Sequence, residues 1–283
     1  MHTYNLMESI LFPSTPLNER KLIKTLRGKS ILITGASSGI GEHLAIFLSQ
    51  LEIELQLILV ARREEKLEEM KQTLQSETTT IHIIRADLRV QEDMDHLLEF
   101  LHQMPGGLDI VVSNAGLSIN RSILHSLDRF HDFTRTMAIN YFAPVQLLLS
   151  VIPLLQQNHG QIINISTINA LIAPLPKWAA YQASKTAFDT WLQSTAPELN
   201  KIGISTTSIY LPLVKTPMIL PTKNYNNMPA MTTQHVAKII CRSMYTKQRR
   251  YKPWWLISLE ISTVLFKRII DIFFYKTILR GRK

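Results

Sequence analysis

Tyr181 and Lys185 lie four residues apart in the run Tyr181-Gln182-Ala183-Ser184-Lys185, so on a helix they share one face. A free phenol, with a pKa of ~10, is a poor proton donor or acceptor at neutral pH. An ammonium beside it favours the phenolate and would draw the group towards the working range of a general acid–base. A hydroxyl at a nearby strand end can hold a carbonyl oxygen as negative charge develops on it. Ser166-Thr167 close an apolar β-branched run just before the loop to Tyr181, and Asn140 sits in the preceding helical stretch. Tyr-x-x-x-Lys alone arises easily by chance. Its weight here comes from its place, directly after a strand and its loop.

A second constellation could hold phosphates. Thr34-Gly35-Ala36-Ser37-Ser38-Gly39-Ile40-Gly41 follows the first apolar run and opens a helix. Glycines at that point let a pyrophosphate approach the backbone N–H groups of a helix N-terminus. After the second strand, an acidic side chain would bond the ribose hydroxyls of NAD and repel the 2′-phosphate of NADP. The sequence has Ala61-Arg62-Arg63 there. A guanidinium matches a phosphate in charge and fork geometry, which favours NADP(H). Arg62 is the stronger candidate; Arg63 could instead solvate the next helix. Asp87-Leu88 are placed to meet the adenine edge, and Asn114-Ala115-Gly116 let the chain turn under the ribose.

The elements that must position these residues alternate. Strands are expected at 30–34, 56–61, 81–86, 109–113, 161–166 and 205–210, with helices starting near Ile40, Glu64, Gln91, Asp128, Ala179 and Thr233. Strands apolar almost throughout are covered on both faces. The pattern reads as an α/β Rossmann fold, a doubly wound parallel sheet with helices on both faces and ligands at the carboxyl ends of its strands. A short helical preamble (1–28) precedes the domain at 29–246. Within that domain, 211–231 is a Pro-, Met- and Asn-rich excursion, either a substrate lid or an irregular surface connection. Residues 247–283 form a tail.

The 283 residues suit one large domain. One cysteine, Cys241, excludes an internal disulfide and a cysteine-cluster metal site, and the nine histidines show no paired metal-ligand spacing, so no metal is expected. Of the net charge of +9, residues 247–283 carry ten Lys/Arg against Glu260 and Asp271, or +8, leaving +1 for residues 1–246. Basicity is thus a property of the tail. Its interleaved Trp, Phe, Ile and Leu point to a membrane surface more than to nucleic acid, which is not expected as a partner. From Trp254 to Leu279 the tail reads as one helix with a polar stripe of Glu260, Thr263, Lys267 and Asp271, ending in Arg280-Gly281-Arg282-Lys283. It could lie on a membrane or be buried against its own domain or a partner. No signal peptide or spanning segment is evident in the sequence. A cytoplasmic protein is expected, with peripheral contact on the inner face of a membrane through 254–283.

TGASSGIG, NAG, the helix Asn140, the strand-end hydroxyl and YxxxK, in this order and spacing, resemble the short-chain dehydrogenase/reductase family over roughly residues 29–246. The resemblance implies Tyr181 as acid–base, Lys185 on the nicotinamide ribose, and Asn140 steadying a proton-relay water. It also implies that Leu213 to Thr216, including Val214 and Thr216, close over the nicotinamide. A homo-oligomer is expected. Two features depart from the family. It usually has Ser-Ser where this chain has Ser166-Thr167; alignment of the motif puts Thr167 in the catalytic serine's place, with Ser166 the alternative. The usual Pro-Gly after the sixth strand is Leu211-Pro212. Two stretches, NRSILHSLDRFHDFTRTMAINYFAPV and ISTTSIYLPLVKTPMILPTKNY, are similar to single-domain bacterial fatty acyl-CoA reductases. That similarity implies a lipid-like substrate, an acyl thioester reduced to an aldehyde; another carbonyl reduced by the same parts, or an NADP-binding sensor without catalysis, are the alternatives. His131, within the first stretch, reads as a structural helix residue because nothing pairs it with a nucleophile.

Overall fold

The computed structural model describes residues 4–219, 225 and 228–280, the last four as backbone only. Seven parallel strands form one sheet in the order β3-β2-β1-β4-β5-β6-β7. They are β1 (Lys29–Thr34), β2 (Leu55–Ala61), β3 (Thr79–Arg85), β4 (Ile110–Ser113), β5 (Gln161–Thr167), β6 (Ser205–Leu211) and β7 (Arg250–Tyr251). The six expected strands are present, and β7 is an addition: two residues pairing with Ser208 and Ile209.

Strands β2 and β4 are apolar almost throughout because alternate side chains enter different cores. Ile31 and Ile33 of β1 join one core with Leu44 and Leu48 of α3 (Gly39–Ser49) and Val236 and Ile240 of the Thr233–Thr246 helix. Leu32, between them, points into the other, with Leu147, Val151 and Phe188. The intervening helices are α4 (Glu64–Leu74), α5 (Gln91–Gln103), α6 (Phe130–Met137), α7 (Ala143–Gln157), α8 (Ala179–Lys201) and α9 (Thr233–Thr246). Between α6 and α7 the helix widens into a π turn, Ala138–Phe142, in which the Ala143 N–H reaches back to the Ala138 carbonyl. The combined helix 130–157 is apolar enough by composition to cross a membrane, but Leu147, Leu148, Val151 and Leu155 are buried in the core.

The preamble belongs to the domain. Its helices are α1 (Leu6–Leu11) and α2 (Glu19–Leu26), and Phe12, Leu22 and Leu26 are buried in the α3/α9 core. The Glu8 carboxylate of α1 meets Lys215 Nζ at 2.8 Å and accepts the Ala230 N–H at 3.3 Å. Burial pushes this carboxyl up, but Lys215 and the backbone donors prevail and hold it below the usual range. Tyr4 likewise bonds His235 Nδ1 at 2.9 Å and accepts the Thr232 N–H at 3.0 Å. These contacts brace the neck of the 211–231 excursion, where Val214 bridges Met231. Residues 220–224 and 226–227 of the excursion lie outside the described residues, as do Gly281 to Lys283 of the tail.

The tail departs from expectation. It forms two helices, α10 (Leu256–Leu265) and α11 (Lys267–Arg280), with the chain leaving helical geometry at Phe266 (φ −108°, ψ 22°). The polar stripe is broken with it: Glu260 pairs with Lys252 at 2.7 Å. Trp254 and Trp255 donate their indole N–H groups to the carbonyls of Ile10 and Leu11, at 3.2 and 3.3 Å. Leu256 is fully buried, whereas Ile261, Val264, Leu265 and Ile269 are exposed, as are Leu6 and Ile10 of α1.

Candidate active site

At the carboxyl ends of β1, β4 and β5 lies a cleft of about 1010 Å³, at the upper end of small-molecule sites. Its floor begins at the turn after β1. Gly35 has φ 67°, a left-handed conformation that suits glycine. A Cβ on Gly41 would fall 2.5 Å from the Gly35 carbonyl oxygen, so the helix can start this close to the strand only without a side chain. Ser38, at the N-cap of α3, makes no side-chain capping bond, which leaves the first-turn N–H groups for an anion. Gly35, Ser37, Ser38, Gly39 and Ile40 line the cleft; Gly41 acts from behind by permitting the close approach.

Arg63 does more than solvate the next helix. Its Nη2 donates to the Ser37 carbonyl at 2.8 Å and to Ser37 Oγ at 3.0 Å, clasping the glycine turn. Arg62 also lines the cleft and favours the charged form of Asp87. The Asp87 carboxylate, expected at the adenine edge, is engaged by Arg89 at 2.6 and 2.9 Å, while Leu88 stands beside it in the wall. The cradle, the open helix N-terminus and two guanidiniums at its far end fit a dinucleotide with an extra phosphate. Asn114, Ala115 and Gly116 form the wall facing the turn, and Val214 and Thr216 bound it from the neck of the excursion. Thr216 Cγ2 comes within 3.0 Å of where a Gly39 Cβ would stand. The Leu211-Pro212 departure leaves this arrangement intact: β6 ends at Leu211 and the neck closes two residues after Pro212.

Tyr181 and Lys185 project from α8 into the same cleft as Ser166 and Thr167. Lys185 is buried, and its Nζ donates to the Ile165 carbonyl at 3.0 Å. Burial lowers this amine to about 8, with Asp189, one turn further along α8, opposing. Burial raises the Tyr181 phenol to about 12, with a hydrogen bond from Thr167 opposing. This corrects the expectation that Lys185 would bring the phenol down: desolvation prevails, and Tyr181 is a protonated donor at neutral pH. Of the two hydroxyls, Thr167 faces the phenol. Its Oγ1 accepts the Asn169 N–H at 3.3 Å, leaving its own proton to donate. Ser166 Oγ is buried and makes no hydrogen bond to the described residues. Asn140, in the π turn, is buried and fully engaged: it accepts the Leu117 N–H and donates to the Leu117 carbonyl and Ser184 Oγ, each at 2.9 Å. Such an insertion leaves a helix carbonyl without an intrahelical partner, a feature common at functional sites. His131 is a helix residue beside Asp132 (3.4 Å) and does not line the cleft.

The family profile described as short chain dehydrogenase matches residues 29–227. The chain belongs to that family. A fatty acyl-CoA reductase of Acinetobacter baylyi is 40% identical over 228 residues, covering 80% of this chain and 76% of the relative. One from Mycobacterium tuberculosis is 37% identical over 230 residues, covering 81% and 77%. Among solved structures, a short-chain dehydrogenase/reductase of unknown function from Caenorhabditis elegans, determined with its cofactor, superposes with a TM-score of 0.69. It is 27% identical and covers 78% of this chain and 89% of that one.

In this short-chain dehydrogenase the sequence reading missed two groups of residues. Asp189 is buried and accepts from Ser208 Oγ (3.0 Å), Tyr210 (2.9 Å) and Gln193 (2.6 Å). Its spacing from Lys185, four residues, was the available signal. The other group is apolar: Ile172, Leu175 and Trp178 line the cleft, where they meet Met218, Ile219, Tyr225 and Met228 of the Met-rich excursion. Trp178 stacks on Tyr225 (6.3 Å, 15°) and tilts against Tyr181 (5.5 Å), which joins the excursion to α8.

Two outcomes follow from these environments. The folded amine of Lys185 releases its proton near 8, the unfolded one near 10.5. The penalty for folding a charged Lys185 is therefore complete below pH 8 and relieved as pH rises towards 10.5. Lys185→Met should abolish turnover yet stabilise the unliganded fold at pH 7 by up to ~3 kcal/mol, with the gain shrinking at pH 9.5 in denaturant melts; a gain independent of pH would refute this assignment. Thr167→Val should lower kcat by about 100-fold or more. Ser166→Ala removes a hydroxyl with no hydrogen bond, so both activity and melting temperature should hold; the reverse ranking would shift the catalytic hydroxyl to Ser166.

Proposed function

We propose that this short-chain dehydrogenase is an NADPH-dependent reductase of a lipid-like carbonyl compound, its substrate a fatty acyl thioester and its product the fatty aldehyde. The observation that carries the reading is the apolar wall of Trp178, Leu175, Met218 and Met228 beside a protonated Tyr181. The fatty acyl-CoA reductases at 40% and 37% identity support it. NADPH, when bound, supplies the hydride; the glycine turn with Ser37 and Ser38 would hold its diphosphate, and Arg62 and Arg63 its 2′-phosphate. As the carbonyl carbon gains the new C–H bond, its oxygen becomes an oxyanion. Thr167 donates a hydrogen bond to that oxygen and Tyr181 gives it a proton, while the Lys185 ammonium limits the charge left behind. The resulting hemithioacetal collapses: the C=O re-forms, the C–S bond breaks, and the thiolate recovers the proton through Tyr181. One NADPH and one proton are consumed, and NADP⁺, aldehyde and thiol are released. Asn140 anchors the loop at Leu117 to α8 through Ser184, and so fixes the wall behind Tyr181. An intact Tyr181, Lys185 and Asn140 set favours catalysis over cofactor sensing.

Peripheral membrane contact is part of the proposal. The exposed apolar residues of α10 and α11 lie in a segment rich in lysine and arginine, and those of α1 sit beside it through the Trp254 and Trp255 bonds, a combination that suits an anionic lipid surface. Exposed Phe142 and Leu149, on the helix 130–157, offer apolar surface for the expected homo-oligomer.

With NADPH, long-chain acyl-CoA should yield aldehyde and an equivalent of free thiol, seen by thiol titration and gas chromatography, and NADH should support a far lower rate. Ketone reduction with no thiol release from any acyl-CoA would favour the second reading, a general carbonyl reductase. For the membrane, Ile261→Glu with Val264→Glu alters only exposed positions and should abolish co-sedimentation with phosphatidylglycerol vesicles while leaving reduction of octanoyl-CoA unchanged. Undiminished sedimentation would remove the tail from lipid contact.

A further inference from the structure

Asp132, buried in the first turn of α6, is surrounded by three arginines. Arg121 Nε lies 2.9 Å and Arg129 Nε 3.3 Å from Oδ2, and Arg135 Nη2 lies 2.8 Å from Oδ1. Burial pushes the carboxyl up, but Arg129 and Arg121 prevail and hold it below its usual range, so it is charged. One carboxylate offsets one of three guanidiniums, and the cluster keeps two positive charges. A single arginine would satisfy the carboxylate; three gathered round it repel one another and call for a further anion. Arg121 and Arg129 spend their Nε–H on Asp132, and the terminal Nη groups of both have no acceptor among the described residues. Those forks suit phosphate oxygens.

The cluster is placed for substrate rather than cofactor. Arg121 and Arg135 line the same cleft as Tyr181. The Arg121 N–H donates to the Lys177 carbonyl at 2.8 Å, which ties this rim to the loop leading into α8 and brings a fourth cationic residue to it. The phosphates of the dinucleotide have their own partners, the α3 N-terminus, Arg62 and Arg63, on the β1–β2 side. A fatty chain carries no charge that would need these arginines, but its carrier does.

We propose that Arg121, Arg129 and Arg135, gathered around Asp132, bind the phosphates of coenzyme A at the mouth of the substrate channel, so that the thioester enters with its carrier held at the rim. This rests on the acyl-thioester reading above. The test compares octanoyl-CoA with S-octanoyl-N-acetylcysteamine, which keeps the thioester and loses every phosphate, using the full chain and NADPH. In Arg121→Gln and in Arg135→Gln the ratio of kcat/KM for the two esters should fall at least tenfold, through KM for the CoA ester; Arg135→Lys should retain part of it. In the wild type, raising salt from 50 to 300 mM should lower the same ratio, a measurement that needs no variant. A ratio unmoved by either substitution and by salt would make the cluster purely structural. Reduction of octanoyl-acyl carrier protein but not octanoyl-CoA would overturn coenzyme A in favour of a protein carrier. If the wild type reduces octanal but neither thioester, the reading of the reaction fails. Free coenzyme A titrated calorimetrically onto the NADP-loaded protein still decides the cluster: binding weakened tenfold by Arg135→Gln upholds it, and no binding by the wild type overturns it.

Discussion

The cleft depends on how the ends of β1 and β4 are fastened where the sheet's winding reverses. From β1 the chain runs outward to β2 and β3, then returns to the other side of β1 to begin again at β4. Helices leave these two neighbours towards opposite faces and open a gap between them. One hydroxyl closes its base: Thr34 Oγ1 accepts the N–H groups of both Asn114 and Ala115 at 3.0 Å. The Asn114 side chain returns a bond to the Thr34 carbonyl at 2.9 Å. With that seam tight, the backbone at Gly116 lies so close to the catalytic wall that a Cβ there would fall 3.0 Å from Asn140 Oδ1 and 3.5 Å from Lys185 Nζ. The glycine turn and the Tyr181–Lys185 face of α8 are thus held at a fixed separation by main chain and short polar side chains.

Burial then sets the charge states. Lys185 has one carbonyl acceptor and a more distant carboxylate, Asp189, itself committed to three donors. Its proton is held less tightly than that of a solvated lysine, while the phenol above it is held more tightly than a solvated tyrosine. A donor that keeps its proton until an oxyanion forms beside it suits reduction, because the driving force for transfer appears only with the charge.

The strands and the glycine turn were legible because both follow from constraints visible residue by residue: continuous apolar runs, and small residues where backbone must approach backbone. What escaped the reading lacked such a mark. β7 is two residues, Arg250 and Tyr251, and their pairing with Ser208 and Ile209 is a tertiary event. The apolar pattern runs on through Phe266, so the break between α10 and α11 left no trace in the periodicity. The π turn changes one hydrogen bond and no residue type. Spacing reveals an amine near Tyr181 but not the water both groups lose on burial, and that loss sets the direction of the phenol's shift. The order of Thr167 and Asn140 along the chain is enough to place both near Tyr181 and Lys185, whereas Asp189 looks like any helical acid until its burial is known.

The bracing of the loop neck changes what counts as a module in this chain. Glu8 and Tyr4 grip residues 215, 230, 232 and 235, and the carbonyls just behind them, on Ile10 and Leu11, receive the two indoles of the tail. Residues 4–12 therefore work as a tie-rod between the tail and the base of the 211–231 loop, two parts that helix α9 separates in sequence. In a chimera the transplantable unit is not the contiguous tail but a discontinuous pair, 4–12 with 250–265; moved singly, either half leaves the other's hydrogen-bonding groups without their partners.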